Sequence, residues 1–366
     1  MIVTYVYADR PFEWNSSNWR CVLPARAINR TGTHSANMVS IIDFEKNTPE
    51  ANFFCTKSDV IVVERNYFGD AIKMILYWKA RGKVIIGNFD DAYQLMHPSN
   101  KSYPFWYDGV VNLKSSDGKE FESIMKPPPL VQFKWALRIM HGITMPSRIL
   151  ANDWAHLADT YYVPNYCDVP FYLKAGAPEH EGIIIGWGGS LSHLQSFTDS
   201  GLPSALRRVC KARDNVRVQI CGDRRVFDKV DLPEDKKIFQ DYVPYDKWAN
   251  VVANFDIGLA PLHGVYDNRR SWIKPLEYML LNIPWVASDF DAYEELKPYG
   301  KIIKNTSDEW ETAILDIIDH YDDYKKKVMG EPHEFALAQD ANKNVNQILS
   351  VYAEIAEKNC GIKLEV

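Results

Sequence analysis

The sequence lacks the features that mark membrane-spanning, zinc-binding and disulfide-stapled proteins. Its 366 residues contain no run of about 18 apolar residues, and its six cysteines include no C-x-x-C pair. The first residues, Met-Ile-Val-Thr-Tyr-Val-Tyr-Ala, suit a strand and carry no basic leader or small-residue cleavage site. We therefore expect no transmembrane segment, no signal peptide, reduced cysteines and a cytoplasmic protein.

The sequence also lacks an excess of positive charge and any internal repeat. Its formal net charge is -6, so no general attraction to nucleic-acid backbones or anionic lipids is expected, although a local basic face is not excluded. With 46% hydrophobic and 25% charged residues the composition is that of a globular protein. The length suits two domains better than one core.

Apolar runs and breakers predict alternating strands and helices, which is typical of α/β proteins with parallel sheets. Two such series appear, with a Gly-, Pro- and charge-containing connection between them. We expect a first Rossmann-like domain over 1–173, a linker over 174–181, a second Rossmann-like domain over 182–345, and a C-terminal helix over 346–366 that returns to the first domain.

The first series predicts strands at 2–7, 38–42, 59–64, 83–88, 142–146 and 160–164, and helices at 19–28, 70–80, 131–140 and 147–157. An irregular stretch that ends in three prolines separates the helix at 131–140 from the preceding strand. The second series predicts strands at 182–187, 216–221, 237–243 and 256–260, helices at 203–213 and 245–254, and a helical tail over 307–358.

The most informative segment is Ser271–Ser288, which predicts a helix followed by a buried strand. Pro275 suits the first turn of a helix, where its missing N–H would have no partner anyway. Lys274 then lies at the helix start and Glu277 one turn later. Free N–H groups and a cation suit a diphosphate, and a carboxylate accepts hydrogen bonds from sugar hydroxyls. The segment therefore predicts a site for a nucleotide sugar.

Polar residues also follow a predicted strand of the first series. Asp90 and Asp91 come at the carboxyl end of the strand at 83–88, where they could orient an acceptor hydroxyl or take its proton, or simply cap a helix over 92–96. His97 could act as a general base or contact the donor sugar, or be structural. The aromatic residues that follow could form an acceptor loop or cover the core.

The order and spacing of short motifs resemble those of GT-B glycosyltransferases, and within that architecture glycosyltransferase family 4. In the second half the motifs are Gly186-Trp-Gly-Gly-Ser190, Ile220-Cys-Gly-Asp223, Asp256-Ile-Gly-Leu-Ala-Pro261, Lys274-Pro-Leu-Glu-Tyr-Met279 and Ile283-Pro-Trp-Val-Ala-Ser288. In the first half they are Gly82-Lys-Val-Ile-Ile-Gly-Asn-Phe-Asp-Asp91, Ile143-Thr-Met-Pro-Ser147 and Tyr162-Val-Pro-Asn165. The resemblance implies two Rossmann-like domains that face each other across a cleft.

The resemblance also implies roles for individual residues. Glu277 would hold the ribose hydroxyls of the donor, with Lys274 near the diphosphate. The turn at Gly188, Gly189 and Ser190 would bring backbone amides to the phosphates, and the backbone of Val243 and Pro244 would meet the base.

Two departures from the family pattern concern charge. Arg269 stands where the family commonly has a second Glu, eight positions before Glu277, and the usual Arg and Lys pair after the first strand of the donor domain is missing. The candidates for meeting the diphosphate charge are Arg224, Arg269, Arg270 and Lys274.

The resemblance implies a hexosyl- or pentosyltransferase that uses UDP- or GDP-sugar as co-substrate, retains the anomeric configuration and binds no permanent cofactor. Asp289-Phe-Asp291 resembles a metal clamp of GT-A transferases, but its setting favours a phosphate-facing loop without metal. The expected acceptor is a glycan or a lipid-linked glycan. The alternatives are a hydroxylated base of DNA and an inactive nucleotide-binding protein with the same fold.

Overall fold

The chain divides into two compact units. The computed structural model describes residues 1–9, 16–114 and 118–366. Unit 1 comprises Met1–Tyr166 and Ala341–Val366, and unit 2 comprises Cys167–Asp340. Each unit contains its own six-stranded parallel sheet with helices between the strands, so the predicted α/β class is confirmed.

The described residues form fourteen strands. They are β1 Ile2–Tyr7, β2 Ser35–Ser40, β3 Val60–Glu64, β4 Val84–Asn88, β5 Val110–Lys114, β6 Glu120–Ile124, β7 Gly142–Met145, β8 Thr160–Tyr162, β9 Ile183–Gly189, β10 Val216–Gly222, β11 Lys237–Asp241, β12 Ile257–Ala260, β13 Trp285–Ser288 and β14 Lys301–Ile303.

The described residues also form seventeen α-helices. They are α1 Leu23–Arg30, α2 Ile41–Lys46, α3 Pro49–Lys57, α4 Asp70–Lys79, α5 Pro129–Ile139, α6 Arg148–Trp154, α7 Val169–Leu173, α8 Leu194–Thr198, α9 Leu202–Ala212, α10 Arg224–Phe227, α11 Tyr245–Ala253, α12 Gly264–Asp267, α13 Ile273–Leu280, α14 Ser307–Asp319, α15 Tyr321–Val328, α16 Glu331–Ala338 and α17 Val345–Cys360. None of these helices is long and apolar enough to cross a membrane.

The sheet of unit 1 has the strand order β2-β1-β3-β4-β7-β8, with every neighbouring pair parallel. Its central strands β3 and β4 are buried along their whole length, as expected for a sheet covered on both faces. The direction of strand addition reverses at β1. In open parallel sheets ligands bind beside such a reversal, at the carboxyl ends of the strands.

The sheet of unit 2 has the order β11-β10-β9-β12-β13-β14, which is the 3-2-1-4-5-6 order of the Rossmann fold. Strand addition reverses between β9 and β12. The same rule therefore points to the loops that follow Gly189 and Ala260 as the place for a ligand of this unit.

The C-terminal helix α17 packs against the sheet of unit 1. Its buried side chains include Leu349, Tyr352 and Ile355. The Tyr352 hydroxyl lies 2.9 Å from that of Tyr5 on β1. A Cβ added to Gly142 on β7 would lie 2.8 Å from Ile355 Cδ1, so glycine at this position allows the helix to approach the strand.

Two parts of the first unit differ from the predictions. The strand predicted at 38–42 is β2, which ends at Ser40, because the Ser40 hydroxyl accepts a hydrogen bond from the Asp43 amide and caps helix α2. The stretch predicted to be irregular contains the antiparallel hairpin β5–β6. Its strands are largely exposed, and the apolar residues Leu113, Phe121 and Ile124 are among the exposed ones.

Candidate functional site

Helix α13 follows β12 in the chain, after a loop that contains the short helix α12. Trp272 occupies the position before the helix, so Lys274 and Pro275 both lie in the first turn. Pro275 has no N–H to leave without a partner, which explains why proline is tolerated there. Glu277 follows one turn later on a helix whose residues from Pro275 to Leu280 are all buried.

Glu277 is a buried carboxylate held by two donors from other helices. Its side chain is 2% exposed. The Tyr172 hydroxyl donates to Oε1 at 2.6 Å, and the indole Nε1 of Trp248 donates to the same oxygen at 2.9 Å. Burial raises the pKa of Glu277 to about 7, while these two hydrogen bonds and the charge of Lys274 act to lower it.

The glycines of β9 make room for aromatic rings. A Cβ on Gly188 would overlap Cη2 of Trp248, and a Cβ on Gly186 would overlap the ring of Phe255. A Cβ on Gly189 would lie 2.7 Å from Cζ2 of Trp187. Packing therefore explains this glycine run without a phosphate, and Gly188 in particular seats the indole that reaches Glu277.

Three basic side chains come together beside the start of α13. Lys274 Nζ lies 3.4 Å from His193 Nε2, in the loop after β9. Burial and the charge of Arg270 lower the pKa of Lys274 to about 8, against the opposing charges of Glu277 and Asp267. Burial and the charges of Arg270 and Lys274 also lower the pKa of His193. Arg270 and Lys274 are the cations of this grouping, and cations of this kind could bind an anion such as a diphosphate.

Asp267 is a functional candidate that the sequence analysis did not identify. It is 4% exposed and accepts hydrogen bonds from Arg270 Nε at 2.7 Å, from the His263 amide at 3.1 Å and from the Ser196 hydroxyl. The Asp267–Arg270 ion pair fixes the direction of the guanidinium. The three-residue spacing at the end of α12 is the signal that could have identified this pair.

The other predicted cations have different surroundings. Arg224 lies over the rings of Phe227 and Phe239 and pairs with Asp228 at 3.1 Å. The Arg269 side chain donates to the Val265 carbonyl at 3.0 Å. Arg270 and Lys274 both act on His193: their charges lower its pKa, and Lys274 Nζ lies 3.4 Å from its Nε2.

The predicted backbone contacts lie on the loops that carry these side chains. Ser190 is exposed at the end of β9, and its hydroxyl lies 2.8 Å from that of Ser192. Arg270 Nη2 is 3.4 Å from the Ser192 carbonyl. Val243 and Pro244 immediately precede α11, the helix that contributes Trp248. Asp289 directly follows β13 and pairs with Lys297 at 3.3 Å.

Unit 1 places a second group of charged residues at the carboxyl ends of β1, β3 and β4. Glu64 is 1% exposed, and its Oε2 accepts hydrogen bonds from the Ala8 amide at 2.9 Å and from the Ser17 hydroxyl. Burial raises the pKa of Glu64 to about 7, although the charge of Arg65 opposes this. Arg65 has a φ of 34° and forms an ion pair with Asp9. A positive φ at a non-glycine residue is uncommon and often occurs at functional sites.

The residues predicted to act on the acceptor differ in their burial and in their hydrogen-bond partners. Asp90 is partly buried, and its Oδ1 has no hydrogen-bond partner among the described residues. The charge of Asp90 contributes to raising the pKa of Arg65 against the effect of burial. The short helical turn that follows spans Tyr93–Leu95 and has Ala92 at its N-cap position, so neither Asp90 nor Asp91 occupies the cap. His97 is exposed, and its Nδ1 lies 2.7 Å from the Ser99 hydroxyl.

The aromatic residues after His97 pack against one another and, through Trp106, against the core. Trp106 is 6% exposed and stacks on Tyr93 with ring centroids 4.0 Å apart. Tyr103 and Tyr107 stack on each other at 4.2 Å, and the Tyr107 hydroxyl donates to the Gln94 carbonyl. These contacts account for the cluster by packing.

Comparisons with known proteins found likeness in structure only. No family model and no curated protein matches the sequence. The Anabaena protein HepE, solved in complex with UDP-glucose, is 12% identical with a TM-score of 0.63, and the match covers 96% of this chain and 100% of HepE. Sucrose-phosphate synthase from Thermosynechococcus elongatus is 11% identical with a TM-score of 0.63, covering 97% of this chain and 98% of the synthase. The chain has the GT-B fold, because it consists of two Rossmann-like units with these strand orders and resembles these structures over nearly its whole length.

Proposed function

We propose that the chain is a glycosyltransferase that binds a nucleoside-diphosphate sugar in unit 2 and transfers its hexose or pentose to an acceptor hydroxyl. The observation that carries this proposal is the buried carboxylate of Glu277 next to the basic grouping of His193, Arg270 and Lys274. These groups lie at the reversal of strand order, where a Rossmann sheet binds its ligand. That HepE was solved with UDP-glucose supports UDP as the first nucleotide to test, and GDP remains the second.

Each part of the donor has a proposed partner. Glu277 accepts hydrogen bonds from the pentose hydroxyls through the oxygen that Tyr172 and Trp248 leave unused. Lys274 and Arg270 neutralise the diphosphate, with amides of Gly189 and Ser190 as further donors. The backbone of Val243 and Pro244 meets the base. Arg224, which pairs with Asp228 and lies over the rings of Phe227 and Phe239, and Arg269 are assigned smaller roles.

The proposed reaction depends on positioning and charge. The bond between C1 of the sugar and the diphosphate oxygen breaks, and a bond forms between C1 and the acceptor oxygen. The acceptor proton passes to the leaving phosphate, which lies on the same face of the sugar, so the configuration is retained without a protein nucleophile. Lys274 and Arg270 supply the positive charge that stabilises the leaving diphosphate, and no metal enters this scheme.

Unit 1 is the proposed acceptor side. Asp90 has a carboxylate oxygen without a partner among the described residues and lies at the carboxyl end of a central strand, so it is the first candidate for orienting the acceptor hydroxyl. Asp91 is a further candidate. His97 is a weaker one, because its ring is exposed and already contacts Ser99. Glu64 joins them as a carboxyl group with a raised pKa beside the same strand ends.

The proposed acceptor is a glycan or a lipid-linked glycan. The alternative, a hydroxylated base of DNA, would use the aromatic residues after His97 or the basic face of α9. There Arg208 pairs with Asp308 at 2.8 Å, Arg213 pairs with Asp319 at 2.6 Å, and Arg207 pairs with Asp231 at 3.5 Å. Acidic partners compensate this face, so it offers little net attraction to a phosphate backbone.

A screen of labelled UDP-, GDP- and ADP-sugars with glycan, lipid-linked and DNA acceptors tests the proposal. We expect one nucleotide to bind and its sugar to appear on a glycan-type acceptor. Binding of a nucleotide without any transfer or hydrolysis would instead support the alternative of an inactive nucleotide-binding protein, which the departure from the family pattern at Arg269 suggests. Failure of every nucleotide to bind would refute the proposal.

A further inference from the structure

We infer that Tyr172 and Trp248 are positioning residues of the donor site: they occupy Oε1 of Glu277 and leave Oε2 as the oxygen that receives the pentose. This inference rests on the proposed function for the identity of the ligand. Whether Tyr172 and Trp248 hold the Glu277 carboxylate in place can be tested without any ligand.

The two donors converge on one atom from two separate helices. Tyr172 belongs to α7 and Trp248 to α11, and both approach Oε1, at 2.6 Å and 2.9 Å. A carboxylate oxygen has about two lone-pair positions, so these bonds use the accepting capacity of Oε1. The bonds also fix the plane of the carboxylate, because rotation about its terminal torsion would break both. Only Oε2 is left to accept hydroxyls from a ligand.

Both donors are themselves held in place by packing. The Trp248 ring lies against the backbone of β9 at Gly188, where no side chain larger than hydrogen fits. Tyr172 is fully buried, and its neighbour Phe171 stacks on Tyr245 with ring centroids 4.8 Å apart. Such a supporting layer keeps a binding group in one geometry before the ligand arrives.

The two bonds also oppose the effect of burial on Glu277. Burial favours the neutral acid, whereas donors to Oε1 and the ammonium of Lys274 favour the carboxylate. The other titratable groups that interact with Glu277 are Cys167 and Tyr278, whose own pKa values are raised mainly by burial and in part by its charge. Removal of either donor is therefore expected to raise the pKa of Glu277.

The variant Tyr172→Phe tests the inference because it removes one oxygen atom and keeps the ring. We expect UDP, titrated calorimetrically, to bind about tenfold more weakly at pH 7, which corresponds to about 1.4 kcal/mol. The loss should shrink at pH 9, where Glu277 is ionised again. Trp248→Phe should shift the same pH profile in the same direction.

Tyr278→Phe is the matched control. Its hydroxyl is equally buried on α13 but donates to the Leu259 carbonyl at 2.8 Å, so this variant should lose stability and keep the pH profile of UDP binding. An unchanged UDP affinity and pH profile in Tyr172→Phe would overturn the inference.

A ligand-free measurement separates this inference from the proposed function. The stability cost of Tyr172→Phe should grow from pH 6 to pH 9, because a raised folded pKa penalises ionised Glu277 more as pH rises. The cost of Tyr278→Phe should be constant over this range. Wild-type protein that binds no nucleotide would refute the donor site alone, whereas a pH-independent cost for Tyr172→Phe would refute the positioning role.

Discussion

The substitution Gly188→Ala tests whether the glycine run of β9 serves packing or the ligand. The new Cβ would overlap Trp248 Cη2 and lie 3.1 Å from Cζ2, inside ordinary contact distance. Trp248 is buried, and the backbone at Gly188 is paired with Cys221 of β10, so we expect neither the ring nor the strand to move easily.

The expected cost has two parts. Overpacking of a buried site costs about 1–3 kcal/mol. If the indole turns away instead, its hydrogen bond to the Glu277 carboxylate is lost, and bonds to charged groups contribute about 1.5–3 kcal/mol. We expect Gly188→Ala to lower the free energy of unfolding by about 2 kcal/mol and to weaken UDP binding about tenfold.

Denaturant unfolding and calorimetric titration with UDP measure the two effects. Gly176→Ala is the matched control, because that glycine is exposed and no atom lies within 4 Å of an added Cβ. In the background Trp248→Phe the shorter ring removes the overlapping atom, so Gly188→Ala should then add little to either loss. If it still weakens UDP binding tenfold in that background, Gly188 acts on the phosphates directly and the packing explanation is refuted.

Four further outcomes follow from the buried charges and the core. Lys274→Met should weaken UDP binding by about 10- to 100-fold, through loss of a bond between charged groups worth about 1.5–3 kcal/mol, and should leave uridine binding nearly unchanged in the same titration. Wild-type affinity for UDP should fall below about pH 7 as Glu277 gains a proton, and above about pH 8 as Lys274 loses one; a flat titration profile from pH 6 to 9 would contradict this. The pKa of Glu64 is raised to about 7 in the folded protein. Ionisation of Glu64 therefore destabilises the fold increasingly as pH rises from the pKa of the unfolded chain to pH 7 and above. Glu64→Gln should thus be less stable than wild type at pH 5. Between pH 5 and pH 8 this difference in unfolding free energy should shrink or reverse, changing by up to about 3 kcal/mol. A difference that does not depend on pH in denaturant unfolding would disprove this expectation. Ile355→Ala should lower the unfolding free energy by about 2–5 kcal/mol because it opens a cavity against Gly142, whereas exposed Ile42→Ala should cost little in the same measurement.

Local patterns predicted the elements that carry the donor-site candidates. Helix α13, the strand after it and the one-turn spacing of Lys274 and Glu277 all follow from short-range periodicity and the position of Pro275. The same is true of the alternating series that gave the α/β class. The strand predicted at 38–42 was wrong at its end, because a serine cap competes there with the apolar run.

The amino-acid sequence by itself determined the alternation of strands and helices, the helix with its lysine and glutamate, and the family of folds that these resemble, since each depends on neighbours within a few residues. The tertiary structure alone decided which groups meet. Tyr172 reaches Glu277 across 105 residues and Trp248 across 29, while His193 joins Lys274 across 81. Such contacts depend on strand order and on the packing of rings over glycines, and no local spacing encodes the distance between side chains so far apart in the chain.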